Sequence, residues 1–236
     1  MTKNVLLVIP TLNEYGNIQK IYKKIKKNNK KIKLLFIDDN SNDGSQKILI
    51  DLKKKDKNVD YFFRPRKMGI GSAHKHGIKK AIKKKFRFVC TMDCDGTHDP
   101  RHINKMLKLI ERNDLVITNR FLNKNSLKDW DIKRKIVTKL RYYFVWVLLG
   151  SKLDGSGGFR LYDLNKIDLK DVFESEDDNY NFFWQSAFLL EKKGYKIAEI
   201  PINLPNRVTG SSKMKVTDII SGVINLFKFF LIHKIL

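Results

Sequence analysis

Two carboxylates one residue apart, Asp93 and Asp95, follow the apolar run Phe86–Met92. Acids at i and i+2 in a turn can approach one ion. A hard divalent cation takes oxygen ligands, and Mg²⁺ is commonly held by one or two carboxylates plus substrate phosphates. The same triplet also suits a polar turn that caps the next helix, and alone it does not separate the two. A second acidic turn, Asp38-Asp39-Asn40-Ser41-Asn42-Asp43-Gly44-Ser45, follows Leu34–Ile37. An Asp here can accept hydrogen bonds from the N–H groups of a nucleobase, whereas Asp43 can cap a helix opening at Gly44. His98 and His102 are four apart, a metal-compatible spacing. No cysteine or further histidine completes a zinc set, so a capping or surface role is favoured. His74 and His76 cannot share a helix face, and Gly69-x-Gly71 is too short for a dinucleotide fingerprint.

The elements around these turns have a regular order. Val5–Ile9, Leu34–Ile37, Val59–Phe63, Phe86–Met92 and Leu115–Thr118 read as buried strands. Between them run helices at Ile18–Ile25, Gly44–Lys55, Ser72–Lys85 and Arg101–Glu111, the third with a small-residue face of Ala73, Gly77 and Ala81. This alternation predicts an α/β fold with a parallel sheet and helices on both faces. Ligands of such sheets bind at the carboxyl ends of strands, where Pro10–Glu14, Asp38–Ser45 and Asp93–Asp99 all fall. The second half reads as a long helix Ile132–Gly150, a glycine loop Gly155–Gly158, a short strand Phe159–Tyr162, a helix Tyr180–Lys193 and a strand Ile197–Ile202. No linker separates two folding units, so the expected organisation is one domain over residues 1–215 with a helical appendage over 216–236.

Composition narrows the class. The 236 residues are 42% hydrophobic and 31% charged, a globular balance that excludes a disordered or polytopic membrane chain. Cys90 and Cys94 are too few for a disulfide scaffold and, at roughly 13 Å apart if extended, too far to bridge. They fit a reducing compartment. The formal charge of +23 points to phosphate-bearing partners. It comes from 38 Lys and only 10 Arg, a Lys excess that suits an anionic membrane surface better than nucleic acid. Met1–Asn4 leads directly into an apolar run too short for a secretory signal, so no leader is expected. No 18-residue apolar window exists, so no spanning helix is expected.

Taken together the motifs resemble a known family. Pro10-Thr-Leu-Asn-Glu14, Asp38-Asp39-x-Ser41-x-Asp43-Gly44 and Asp93-x-Asp95 are similar to the family-2 nucleotide-sugar glycosyltransferases. Gly69-Ile-Gly71-Ser-Ala73, His76-Gly77, Met92–His98, Gly158-Phe-Arg-Leu-Tyr162, Glu199-Ile-Pro201-Ile202 and Arg207-Val-Thr-Gly210-Ser-Ser-Lys213 narrow the resemblance to polyprenyl-phosphate (dolichol-phosphate) mannose synthases. It spans about residues 4 to 215. It implies a GT-A-type fold, a nucleoside-diphosphate sugar (GDP-mannose first), a Mg²⁺ or Mn²⁺ ion and transfer of a hexose, mannose before glucose, with inversion. On matching positions, Pro10, Leu12 and Glu14 would line the base and ribose pocket, and Ile37, Asp38 and Asp39 would lie at the base. Asp93 and Asp95 would hold the metal, with Cys94 and Thr97 in the donor set. Arg120 would lie near the donor, its plainer reading being a pair with a surface acid. Arg207 and Lys213 would clamp phosphate, joining Asp95 as catalytic groups.

Two positions depart from the pattern. Leu12 replaces an aromatic residue, and Gln185 replaces Glu. No acid lies between Asn179 and Leu190, where hydroxyl-glycosylating relatives keep a base, although Glu174, Glu176, Asp177 and Asp178 lie nearby. A sugar hydroxyl needs a general base; a lipid phosphate is already anionic. A polyprenyl phosphate acceptor is therefore expected, with a hydroxyl acceptor and a non-catalytic basic binding module as alternatives. In Val216–Leu236 the polar residues Asp218, Ser221, Asn225 and Lys228 form one narrow stripe on an apolar helix. Such a helix packs on a core or partner, or lies in an interface. The expected location is peripheral, on the cytoplasmic face of a membrane, with a small membrane subunit as a further partner.

Overall fold

Strand β1 (Val5–Thr11) carries apolar side chains on both faces, and the fold buries both. The computed structural model describes residues 4–205 and 216–235. Val5, Leu7 and Ile9 pack with Ile18, Ile21 and Ile25 of α1 (Tyr15–Asn28). Leu6 and Val8 pack with Ala73, Ile78 and Ala81 of α3 (Ile70–Lys83). A strand covered on both sides accounts for the unbroken apolar run. Gly77 lets α3 close onto the sheet: a Cβ there would stand 2.3 Å from Val8 Cγ1. Helices α2 (Ser45–Lys55) and α4 (His102–Leu109) join α1 on its face; α6 (Leu169–Phe173) and α7 (Asn181–Lys192) join α3.

The sheet has seven strands. With β2 (Lys33–Asp38), β3 (Val59–Phe63), β4 (Phe88–Thr91), β5 (Leu115–Asn119), β6 (Arg160–Asp163) and β7 (Ile197–Pro201), their order is β3-β2-β1-β4-β6-β5-β7. All pair in parallel except β6, which enters antiparallel between β4 and β5. The expected parallel sheet is thus mostly parallel, with one reversal. Because β6 runs backwards, its first residue meets the end of its neighbours, Arg160 facing Thr91 and Ile117. The loop before β6 is thereby delivered to the edge where the parallel strands end.

Helices α5 (Ile132–Leu149) and α8 (Val216–Phe230) stand outside this sandwich. Val145 and Leu149 of α5 and Leu226 and Phe229 of α8 cluster with Trp184, Phe188 and Leu189 of α7. Other apolar side chains of both helices face solvent, among them Ile136, Leu140, Phe144 and Val147 on α5 and Ile220, Val223, Ile224 and Phe227 on α8. Among the described residues, no helix is long and apolar enough to cross a membrane.

Candidate active site

The loops after β1 and β2 are joined by side chains. Asn13 N and Glu14 N donate to Ser41 Oγ and Ser45 Oγ at 2.8 and 2.9 Å, and Tyr15 N donates to Asp43 Oδ2 at 2.9 Å. Asp43 Oδ1 also accepts from Ser45 N at 3.0 Å, so this acid serves the start of two helices. Burial raises its pKa, but the bonds from Ser45 and Tyr15 outweigh that and leave it below its usual value. Asp38 is fully buried, its oxygens accepting from Ser41 N and Oγ, Gln46 Nε2 and Thr11 Oγ1. Asp39 accepts from Met68 N at 2.8 Å and Gly69 N at 3.1 Å and pairs with Arg64 Nη1 at 2.9 Å. It thereby fastens the loop between β3 and α3 to the end of β2. Arg64 also donates to Gly69 O and Ser72 Oγ.

Past β4 the chain turns at Asp93–Thr97. Asp95 Oδ1 accepts from Thr97 N at 3.1 Å and Thr97 Oγ1 at 2.7 Å. Asp93 N donates to His98 Nδ1 at 3.1 Å. Gly158, from the loop before β6, backs this turn: a Cβ there would stand 3.1 Å from Asp93 Oδ1. Among the described residues no cluster of three or more His, Cys, Asp and Glu is arranged to hold a metal. Two carboxylates fit a hard cation whose remaining ligands are substrate phosphates and water, not a zinc cage.

The loop before β6 has a cationic frame. Arg160 is fully buried, donating to the carbonyls of Gly155, Gly157 and Phe183 and to Ser186 Oγ. Arg120, just past β5, donates from N and Nε to Asp154 Oδ2 at 2.9 and 2.7 Å. Burial raises the Asp154 pKa, yet Arg120 outweighs it and the group ends below its usual value. Glu199 of β7 accepts from Asn119 Nδ2 and Asp154 N, and burial raises its pKa.

The model of Glycosyl transferase family 2 matches residues 6–169. The chain belongs to this family. It is 27% identical over 226 residues to an undecaprenyl-phosphate mannosyltransferase of Micrococcus luteus, covering 95% of this chain and 93% of the relative. It is 28% identical over 224 residues to a polyprenol monophosphomannose synthase of Mycolicibacterium smegmatis, covering 92% and 83%. Among solved structures it resembles glucosyl-3-phosphoglycerate synthase of Mycobacterium tuberculosis in complex with Mn²⁺, UDP and phosphoglyceric acid. That likeness has a TM-score of 0.69 at 15% identity and covers 97% of this chain and 78% of the other. It supports the GT-A fold.

In this family-2 glycosyltransferase the expected site residues separate by position. Pro10, Leu12 and Glu14 are partly exposed at the β1 end, and Asp93 and Thr97 at the β4 end. The Ile37 side chain is fully buried in the core beneath α3, so it leaves only backbone toward the site edge, contrary to a side-chain contact with the base. The Cys94 thiol likewise lies in the core beneath α1, α2 and α4, and burial pushes its pKa up, which removes it from the donor set as a side chain. Asp38 has its oxygens occupied by Ser41 of its own loop, Gln46 of α2 and Thr11 of β1. Arg120 pairs with a buried acid, not a surface one. His98 and His102 pack against Phe159, so His98 is a buried structural residue, not a surface one. Arg207 and Lys213 lie outside the described residues. Sequence reasoning missed Arg64, Asp154 and Glu199 as site-building residues. The only signal for Arg64 was a charge placed directly after an apolar strand.

Proposed function

We propose that this enzyme transfers a hexose, mannose in preference to glucose, from a nucleoside-diphosphate sugar to a polyprenyl phosphate with inversion. GDP-mannose is the donor of choice in this reading. Asp93 and Asp95 would hold Mg²⁺ or Mn²⁺, which when bound supplies charge neutralisation for the departing diphosphate. Asp95, Arg207 and Lys213 are the catalytic groups of the reading, the two cations stabilising charge that develops on the leaving group.

The observation that carries the acceptor is the absence of any acid from Asn179 through Leu190. Gln185, which stands where the synthases it resembles carry Glu, is buried and accepts from Ser175 Oγ at 2.7 Å. Of the four acids preceding it three have other tasks: Asp177 accepts from Asn179 N and Asn181 Nδ2, Asp178 pairs with Lys75, and Glu174 pairs with Lys193, while Glu176 is exposed. A hydroxyl acceptor needs a base to take its proton. A phosphate monoester, with a second pKa near about 6, brings its own anion. The two mannosyltransferase relatives are named for such acceptors. The exposed apolar residues of α5 and α8 support work at a membrane surface, with cytoplasmic-face attachment or a small membrane subunit covering them.

The test is transfer of radiolabelled hexose from GDP-mannose to a polyprenyl phosphate. Label in a chloroform-soluble, acid-labile product, dependent on Mg²⁺ or Mn²⁺, is expected. Label found only on a hydroxyl-bearing acceptor would replace the phosphate acceptor. No nucleotide-sugar turnover with any acceptor would leave a binding module.

A further inference from the structure

Strand β4 ends at Thr91, two residues before the acid pair begins. Met92 N still donates to Val8 O of β1 at 3.1 Å. At Asp93 the chain leaves the ladder, and its N–H needs another acceptor. A side chain supplies it, His98 Nδ1 at 3.1 Å. The same nitrogen stands 3.9 Å from Asp93 Oδ2, too far for a hydrogen bond. Nδ1 therefore offers its lone pair to the amide, and the ring carries its proton on Nε2. A nitrogen engaged in this way cannot also ligate an ion.

The sheet holds the ring in turn. His98 is 4% exposed and lies against Phe159 at a centroid distance of 5.1 Å, tilted by 31°. Phe159 is fully buried, with His102 edge-on to it at 6.3 Å. The Phe159 carbonyl accepts from Thr118 N and Oγ1 of β5, and the Gly158 carbonyl from Thr91 Oγ1 of β4 at 2.6 Å. A connected series thus runs from β4 and β5 through Phe159 and His98 to the Asp93 backbone. Asp95 is fastened differently, its Oδ1 accepting from Thr97 N and Oγ1 within the turn. The two acids are one residue apart, yet one is anchored inside the turn and the other from beyond it. Two carboxylates grip one ion best when their spacing is preset, and outer groups that orient ligands change metal affinity by about 10–100-fold.

We propose that His98 is a positioning residue for the Asp93–Asp95 pair, setting where Asp93 stands by accepting its backbone N–H. Its bearing on a metal rests on the assignment of Mg²⁺ or Mn²⁺ to these acids above; the anchoring itself does not. The two features of the ring are separable. His98→Asn keeps an acceptor, Oδ1, near the place of Nδ1 but loses the ring. His98→Phe keeps a ring on Phe159 but has no acceptor. A histidine that only packs would tolerate Phe better than Asn; one that positions Asp93 tolerates Asn better.

The test compares the full chain with both variants in two measurements. The first, made without metal, is hydrogen exchange of the Asp93 amide by NMR. The second is the Mn²⁺ concentration that gives half of the rise in unfolding temperature with GDP present. His98→Phe is expected to speed Asp93 exchange about tenfold or more and to raise the Mn²⁺ requirement about fivefold or more, with His98→Asn within about threefold of wild type in both. His98→Leu, smaller than Phe and also without an acceptor, is expected to follow His98→Phe. An acceptor-free variant that protects the Asp93 amide as well as His98→Asn does would overturn the proposal. So would a Mn²⁺ requirement that His98→Phe and His98→Leu leave unchanged. Acceptor-dependent exchange with no Mn²⁺ response in the wild type would keep the anchor and remove the metal from the acid pair.

Discussion

His74 is fully buried on α3, edge-on to the Phe183 ring at a centroid distance of 4.8 Å. Neither of its ring nitrogens has a hydrogen-bond partner in the described structure. Burial, with Arg160 and His98 adding to it, drives its pKa from 6.5 down to about 3. The folded value lies below the unfolded one, so between these limits the unfolded chain binds more protons. Stability must fall as pH drops through 6.5 and stop responding to this group below about 3. Each pH unit within the window costs about 1.4 kcal/mol. At about pH 5 the cost is about 2 kcal/mol, and over the whole window it is on the order of 5 kcal/mol. Native stabilities are about 5–15 kcal/mol, so the effect is large enough to read. His74→Phe keeps an aromatic ring beside Phe183 and removes the titration. Urea unfolding of both proteins at several pH values between about 7.5 and 5 gives two stability curves. Burial also lowers His76 and His233, and Asp60 is held to about 2, burial opposing and Lys53 and Lys84 prevailing. Those groups act in both proteins and cancel in the difference. The wild-type stability is expected to fall relative to the variant by about 2 kcal/mol on reaching about pH 5. Parallel curves would show that His74 is solvated or bonded, and the argument from its burial would fail.

Four further outcomes are expected. Asp95→Asn should fold normally and lose on the order of 10² or more in transfer rate, as removal of one charged metal ligand requires; wild-type turnover with Mn²⁺ present would falsify the metal assignment. Asp39→Ala should cost about 3–5 kcal/mol in urea unfolding, because it leaves the buried Arg64 cation without its carboxylate; an unchanged midpoint would show that Arg64 finds water or another partner. Gly158→Ala places a methyl at 3.1 Å from Asp93 Oδ1 and should raise the Mn²⁺ concentration for half-maximal activity, a shift that a metal titration either shows or denies. Anionic liposomes should sediment the full chain more than a version ending at Lys215, with Phe144→Glu reducing it further and salt weakening it in part; equal sedimentation of all three would assign the exposed faces to a protein partner.

Much of the fold was legible because its signals are local. The five strands and four helices of the first half were each written in a few consecutive residues, and β1, read as a run from Val5 to Ile9, extends only to Thr11. The strand at Phe159–Tyr162 was visible too, but its direction was not. Nothing within Arg160–Asp163 says that it will pair backwards with β4 and β5. That follows from how α5 leaves the sheet and where the chain returns, a property of topology and not of any residue pattern. The double character of α8 was legible only as a choice between core and interface. The structure resolves it by face, with Leu226 and Phe229 packed on Trp184 and Phe188 while Ile220, Val223 and Phe227 remain exposed.

The site was legible to the level of the turn and not of the side chain. An acid after a buried strand announces a polar edge, but the same residue type can face a ligand or tie loops together. Asp38 and Asp39 stand next to each other in the sequence, yet one closes its own loop while the other reaches Arg64 across 25 residues. The β2–β3 register, with Asp38 opposite Phe63, is what brings Arg64 beside Asp39. A buried cation and its acid are recognisable only once that register is known, which is why Arg64 and Asp154 escaped the reading and Arg160 entered it only as part of the Gly158–Tyr162 motif. The same division bears on the chemistry. Acids that organise loops are already bonded and cannot also serve as proton acceptors at a cleft. In the proposed function Asp93 and Asp95, at the end of β4, are the carboxylates that would hold the metal. Gln185 is bonded to Ser175, and no acid lies from Asn179 through Leu190. Under the proposed function, carboxylates for a cation and none from Asn179 through Leu190 for a proton suit an acceptor that arrives already charged.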